Sequence, residues 1–438
     1  MLDAEFLEAA RALIGADTLT EHGNLRAVAL LEPICRAAGL EPIRIPAPDS
    51  PGRDANLLAG PGGGVEVEGD PLLLVTHLDT VEPGPREAWR TDPFSLTVEG
   101  EQAFGLGVAD VKLDALCKLW AARRLIGVRL SRPFYFLGTY GEEAGLRGAK
   151  AFVAEAPFRP AFALCGEPCA LRLHHAHKGY AMVRVTLRGR GQQRSGQAPG
   201  QALVFEGKAA HSSTPQLGVN AIDRALDALV SQPSRVVTVH GGSSPNTIPA
   251  RCEATLSDTG TDLRPLLSLA RELRDRWKRA IESLEPARDE RFDPATAVGS
   301  LTQIFGDDGS VAMVMDARLL PAHEPRELLD RFDRVARVPG IDVSVEVLRD
   351  AGGMSLAEDS ELVRRAGAVL ERLGLDGRPV AKPTSTEGGV FHRAGVPTLV
   401  FGPSPSTANA HTPNERASLR EVERAIDVYE ALVRELCG

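Results

Sequence analysis

The stretch PFYFLGTYGEEAG (133–145) decides how this chain is read. Its first half is an unbroken apolar run that stops at a glycine. Its second half sets two carboxylates, Glu142 and Glu143, just past the stop. A run that is apolar at every residue, rather than at every second one, predicts a strand buried on both faces. Polar residues gathered past the C-terminal end of such a strand are where open α/β sheets place their sites. On an extended backbone the two acids would project to opposite sides, so that one could hold a cation while the other takes a proton from water. An isolated Glu-Glu is ordinarily a solvated acidic turn, because glutamate is seldom buried; the surrounding motifs decide between the two.

PLLLVT (71–76) and PAFALC (160–165) repeat the pattern of a short apolar run ending at polar residues, and VKLDALCKLWAARRLIG (111–127) supplies an intervening helix with Leu113, Leu116, Leu119 and Trp120 on one face. These runs predict a mainly parallel sheet between helices. From about Gly179 the texture changes. YAMVRVTLRG, SRVVTVHGG, RCEATLS, SVAMVMDARL and IDVSVEVLRD read as strands, and 219–232, 262–284 and 325–337 read as helices, which together predict a separate α+β unit. After about Gly352 the α/β texture returns with a helix in DSELVRRAGAVLERLG and a buried strand in VPTLVFG. The expected organisation is therefore one α/β domain, 1–179 with 350–438, interrupted by a second domain at 180–349. Within the latter, GRGQQRSGQAPGQ (189–201) reads as a mobile loop.

At 438 residues two domains are the default. A net charge of −9 without a basic run argues against nucleic acid or an anionic membrane as partner, and no apolar stretch approaches membrane-spanning length. The N-terminal segment MLDAEFLEAARALIGAD carries acids and no basic leader, which is unlike a secretory or transit signal. The six cysteines are scattered through apolar segments, as expected of reduced thiols in a cytoplasmic protein.

The residues that carry chemistry follow the predicted strands in order. His77-Leu-Asp79 puts two side chains on one face of a strand end, where the carboxylate could accept the second imidazole N–H and fix its tautomer. Asp110 follows in GLGVADVK; alone it reads as the N-cap of the helix starting at Val111. Glu167 stands in CGEPC, and His411 in AHTPNE after the last apolar strand. This series, with Glu142 and Glu143 in its middle, resembles the M20 metallopeptidase and deacylase family, which includes acetylornithine deacetylases, succinyl-diaminopimelate desuccinylases and carboxypeptidases. The resemblance covers nearly the whole chain. It implies a zinc-peptidase-like catalytic domain with an inserted lid or dimerisation domain. Two divalent metal ions are implied, one bound by His77 and Glu167, the other by Glu143 and His411, with Asp110 bridging. It further implies Glu142 as general base and Asp79 as the residue that orients His77. Three carboxylates and two imidazoles suit Zn2+ best, with Co2+ or Mn2+ able to substitute.

GKAAHSSTPQLGVNAI (207–222) resembles the family's lid segment, whose histidine, here His211, helps hold the oxyanion of the tetrahedral intermediate. Asn246 in SPNTIP and Arg318 in MDARLLP stand in family-like positions. Arg318 could hold a substrate carboxylate or pair structurally with Asp316. The chain also departs from the family pattern. A long interval with an extra helix separates Asn246 from Asp316, so the lid is enlarged and could stand in for the partner of the family's usual homodimer. PTSTEGGVF (383–391) puts Glu387 where relatives carry a different acidic turn, and His174, His175 and His177 could suggest a third metal site, although a place at the boundary between the two units makes them hinge and pocket-rim residues. By the trend of the family that this chain resembles, glutamate at the position of Glu167 goes with deacylases and carboxypeptidases. The implied activity is cleavage of the amide of an N-acyl amino acid, with a short peptide as the alternative substrate and a non-catalytic binding protein as the competing class.

Overall fold

A computed structural model describes residues 2–61, 69–190, 200–333 and 338–438 of the chain. The candidate mobile loop at 189–201 lies largely outside these residues. The chain forms two compact units, Met1–Ala176 with Met354–Ala381 and Thr386–Gly438, and His177–Gly353 with Lys382–Ser385.

The first unit is built on a mixed sheet in which Phe134–Thr139, Leu72–His77, Phe162–Gly166 and Thr398–Phe401 lie side by side and parallel. Ala55–Gly60 and Glu41–Pro46 extend one edge antiparallel, and His174–His177 begins the other. Every residue of Leu72–His77 and Phe134–Thr139 is buried. The period-two geometry of a strand sends alternate side chains to opposite layers. Accordingly Leu72, Leu74, Phe134, Phe136 and Leu164 enter a core with the helices Ala4–Gly15, Lys112–Arg123 and Leu419–Cys437. Leu73, Val75, Tyr135, Leu137 and Cys165 enter another with Phe152 and Phe391 of the helices Arg147–Glu155 and Gly388–Arg393. Each fully buried leucine or phenylalanine contributes about 1.5–3 kcal/mol, and the two-sided burial explains why these strands read as unbroken apolar runs.

The helix Lys112–Arg123 departs from the amphipathic pattern. Its residues from Lys112 to Ala122 are all buried, charged ones included. Lys118 Nζ donates to Asp114 Oδ2 at 2.6 Å, Thr76 Oγ1 at 2.7 Å and the Val75 carbonyl at 2.5 Å. Tyr429 donates its hydroxyl to Asp114 Oδ1 at 2.5 Å. Gly166 leaves the room for this network: a Cβ there would lie 1.9 Å from Asp114 Oδ2.

The second unit carries a seven-stranded antiparallel sheet in the order Gln201–Glu206, Arg251–Ser257, Arg235–Gly241, Val298–Asp307, Ser310–Leu319, Gly179–Gly189, Ile341–Ala351. Ile222, Leu226, Leu267, Leu273, Trp277, Leu328 and Phe332 come from the helices Ala221–Leu229, Arg264–Glu282 and Pro325–Asp333, and pack with Val183, Val185, Met313 and Met315 of the sheet.

Candidate active site

His77 ends its strand with the imidazole fully buried between two oxygen acceptors. Nδ1 lies 3.0 Å from the Asp79 carbonyl and Nε2 lies 3.1 Å from Asp110 Oδ1. A neutral ring can donate from only one nitrogen, so the second position calls for a proton or a metal ion. The tautomer is thus set by the backbone of Asp79. The Asp79 carboxylate, expected to orient the ring, stands 3.7 Å from Nδ1 and is otherwise engaged: it accepts from the backbone N–H groups of Glu142 at 3.0 Å and Glu143 at 3.2 Å, and from Thr20 Oγ1 at 2.9 Å.

That clamp changes the geometry expected of the acid pair. The strand stops at Thr139, and Glu142 and Glu143 lie in a bend and turn rather than on an extended backbone. The pair is not splayed. One oxygen from each and a ring nitrogen of His77 lie within 4.8 Å of one another. Asp110, Glu143 and His411 form a second such group. The two groups share Glu143, and Asp110 joins them, with Oδ1 facing His77 and Oδ2 3.2 Å from His411 Nε2. The same His411 nitrogen is 2.8 Å from Glu143 Oε1. Glu167, expected beside His77, is buried at the end of the neighbouring strand but outside both groups.

Asp110 does not cap the helix that follows it; Val111 holds the N-cap position without a side-chain bond. The turn before it is shaped by Gly107 at φ +85°, where a Cβ would approach Lys112 and Thr80 to 3.0 Å. His411 has φ +59°, a left-handed conformation that costs a non-glycine residue of order 1–2 kcal/mol. Asn409 holds that loop by donating to the carbonyls of Pro405 and Arg416 and accepting from Arg416 N–H.

The electrostatics are those of an acid-rich pocket. Burial works against a charged His77, yet its bond to Asp110 and the charges of Asp110, Glu142 and Asp79 outweigh it and hold the imidazole well above its ordinary range. The Glu143 charge does the same for His411. Burial pushes the Asp110 carboxyl up, but the two histidines hold it well below its usual value. Behind these groups Glu387, buried and bonded to Thr139 Oγ1 at 2.9 Å, is pushed up to about 7 by burial. Protons on the histidines thus stand where cations would balance the acids. The donor set, two imidazoles among carboxylates with no thiolate, fits divalent ions of the zinc, cobalt or manganese type.

In the second unit His211, Asn246 and Arg318 are strung together. Ser212 N–H donates to the Asn246 carbonyl at 2.9 Å, and Arg318 Nη2 donates to Ser212 Oγ at 3.2 Å. His211 Nδ1 accepts from Ser213 N–H at 3.1 Å, with Ser213 Oγ at 2.7 Å; a ring that accepts at Nδ1 carries its proton on Nε2. Arg318 stacks 3.5 Å over the Tyr180 ring and lies 3.5 Å from Asp316, the structural acid foreseen for it. His175 and His177 turn Nδ1 to the carbonyls of Leu356 and Lys178. Among the described residues no third group of metal-holding side chains forms around them.

Thr20 and Glu415 also touch these groups: Thr20 donates to Asp79, and Glu415 accepts from the Asp110 N–H. No local signal marks Thr20, which meets Asp79 from a distant loop. Glu415 was visible in the HTPNE motif, but nothing in the sequence says what it touches.

The family model Peptidase family M20/M25/M40 matches residues 73–435. An acetylornithine deacetylase of Proteus mirabilis is 28% identical over 99% of this chain and 97% of its own length; one of Yersinia pseudotuberculosis is 32% identical over 64% of this chain and 72% of its own. An M20 family metallo-carboxypeptidase from Sulfolobus solfataricus shares the fold with a TM-score of 0.65 at 17% identity, covering 99% of both chains.

Proposed function

From the premise that this chain belongs to peptidase family M20/M25/M40, hydrolases of amide bonds, we propose that it removes the acyl group from an N-acyl amino acid, with N-acetylornithine the first candidate. The observation that carries the proposal is the acid-rich cluster centred on Asp110, buried at His77 and Glu142 and open at His411, in which the two Asp110 oxygens face two histidines. We assign His77, Asp110, Glu143, Glu167 and His411 to two divalent ions, Zn2+ by preference. Such ions, when bound, polarise a carbonyl and make water acidic enough to lose a proton near neutral pH.

The chain's own groups do the rest. Glu142, buried beside His77, takes a proton from the attacking water and returns it to the leaving nitrogen. The water oxygen bonds to the amide carbon, the C–N bond breaks, and a carboxylic acid and a free amine result. Asp79 holds the backbone of Glu142 and Glu143, so that the base and one ligand move together. His211, with its proton on Nε2, is the donor for the oxyanion, and Arg318 and Asn246 recognise the substrate from the same strand cluster.

A homodimer belongs to the same reading, with Val204, Phe305 and Val347 exposed on strands of the second unit's sheet, and sedimentation tests it. Six free, buried cysteines favour a cytoplasmic setting. The decisive assay is a panel of acetyl-, succinyl- and aminoacyl-amino acids with Zn2+ or Co2+. The highest kcat/KM is expected on an acetyl-amino acid. Cleavage confined to dipeptides would replace the proposal by a dipeptidase or carboxypeptidase, and no cleavage by metal-loaded protein would leave a binding protein.

A further inference from the structure

Glu415 is the residue whose bonds exceed anything required of a motif neighbour. It is buried, 1% exposed. Its carboxylate accepts three backbone N–H groups: Oε1 from Ala109 at 2.7 Å and from Asp110 at 3.0 Å, and Oε2 from Gly107 at 3.1 Å. Its carbonyl accepts a fourth, from Gly105 at 3.2 Å. The whole turn that delivers Asp110 is wrapped on this one side chain. Glu415 is also carried by the segment that delivers His411, and the next residues, Arg416–Ser418, pair with Gln102–Phe104 at the start of the same turn. Asn414 adds a second tie, accepting from Arg90 N–H at 2.7 Å and donating to the Ala88 carbonyl at 2.9 Å.

We propose that Glu415 is a positioning residue that locks the Asp110 turn to the His411 loop, and so fixes the distance between Asp110 and His411 on which the Asp110, Glu143 and His411 metal group depends. The reasoning is geometric. The turn from Gly105 to Asp110 contains two glycines with positive φ and belongs to no helix or strand, so its backbone donors need partners from elsewhere. His411 sits in a left-handed conformation that persists only when its surroundings over-determine it. A carboxyl group can accept several N–H bonds at once, and Glu415 takes three donors of this turn within 3.1 Å. Removing the carboxylate frees both loops together, whereas His77, on the end of a fully buried strand, keeps its place. This inference rests on the di-metal reading above.

The test is titration of metal-stripped protein with Co2+, followed by calorimetry and by the visible absorption of the bound ion, for the full-length wild type, Glu415→Ala, Glu415→Gln and a His411→Ala control. In Glu415→Gln the amide oxygen can still accept from Ala109 and Asp110 while the amide NH2 faces the Gly107 donor, so this variant is the milder one. The expected result is a two-site wild type, a second-site affinity lowered 10- to 100-fold in Glu415→Ala, an intermediate loss in Glu415→Gln, and a first site within a few-fold of wild type in both. Two tight sites in Glu415→Ala, or equal weakening of both sites, would overturn the positioning role. A wild type that binds no second ion would instead overturn the di-metal reading, so the two failures are told apart. If Glu415→Ala does not fold, the Glu415→Gln titration decides: an unchanged second site with its absorption band unshifted overturns the proposal.

Discussion

Two polar clusters stand one residue apart on the same strand, and they are built on opposite principles. At Thr76, Lys118 and Asp114 close on each other with the Thr76 and Tyr429 hydroxyls and the Val75 carbonyl, so one positive charge meets one negative charge and the donors find acceptors. At His77, Asp110, Glu142 and Glu143 crowd around two imidazoles, with Asp79, Glu167 and Glu387 buried nearby. A buried ion pair with its bonds complete needs nothing more from outside. A buried excess of carboxylates does: the charge has to be met by protons or by cations. The first cluster is closed on itself and the second is left with an excess of acids, and charge balance rather than residue type separates them.

The largest expected effect comes from the unbalanced cluster. Glu142→Gln should lower kcat about 10²–10⁴-fold, the usual worth of a general base, while Co2+ content stays at the wild-type level. Because it removes one of several mutually repelling acids, it should leave the metal-free protein as stable as wild type or more so. Wild-type turnover by metal-loaded Glu142→Gln would show that the base is another group. Asp114→Asn in the balanced cluster should behave the other way, costing stability without touching the chemistry directly.

The balanced cluster is broken from its other side by Lys118→Met. This leaves Asp114 buried without its cation, at a cost of about 3–5 kcal/mol, read as a shift in the urea midpoint. Adding Asp114→Leu should restore much of the loss, since an apolar pair of similar volume is often neutral or better. A single-variant loss no larger than that of a surface substitution would show that the two charges were not closed on each other.

The contrast between the clusters also explains what the sequence could disclose. The parallel strands were legible because burial on both faces writes an unbroken apolar run, and the convergence of His77, Glu142 and Glu143 was legible because each stands just past such a run, whereas Glu167, which stands there too, lies outside both groups. The closed cluster was not legible: Asp114 and Lys118 sit on a helix whose charged side would ordinarily face water, and here that side is buried too. Nor was the job of the Asp79 carboxylate, because its partners are backbone donors that become available only when the 142–143 turn folds back on it. The strand Val298–Asp307 (VGSLTQIFGD) escaped because glycine, serine and glutamine break its alternation, although it pairs along its length with Ser310–Leu319.

The smallest effect tests whether the acid excess reaches past the ligands. Glu387 is pushed up to about 7 by burial, from an ordinary glutamate value near 4.3. Between those values the folded chain keeps a proton that the unfolded chain releases, so this residue makes metal-free protein less stable as pH rises from about 4.3 to 7, by an amount on the order of 4 kcal/mol at most. Below that window both states are protonated and the effect vanishes. Glu387→Gln keeps an acceptor for the Thr139 hydroxyl and cannot ionise. Unfolding of the metal-stripped proteins in urea at pH 5 and pH 7 should therefore show the wild type losing more stability than Glu387→Gln over that interval. Equal losses would mean that Glu387 ionises as an ordinary surface acid does, and that the charge imbalance ends at the residues facing His77 and His411.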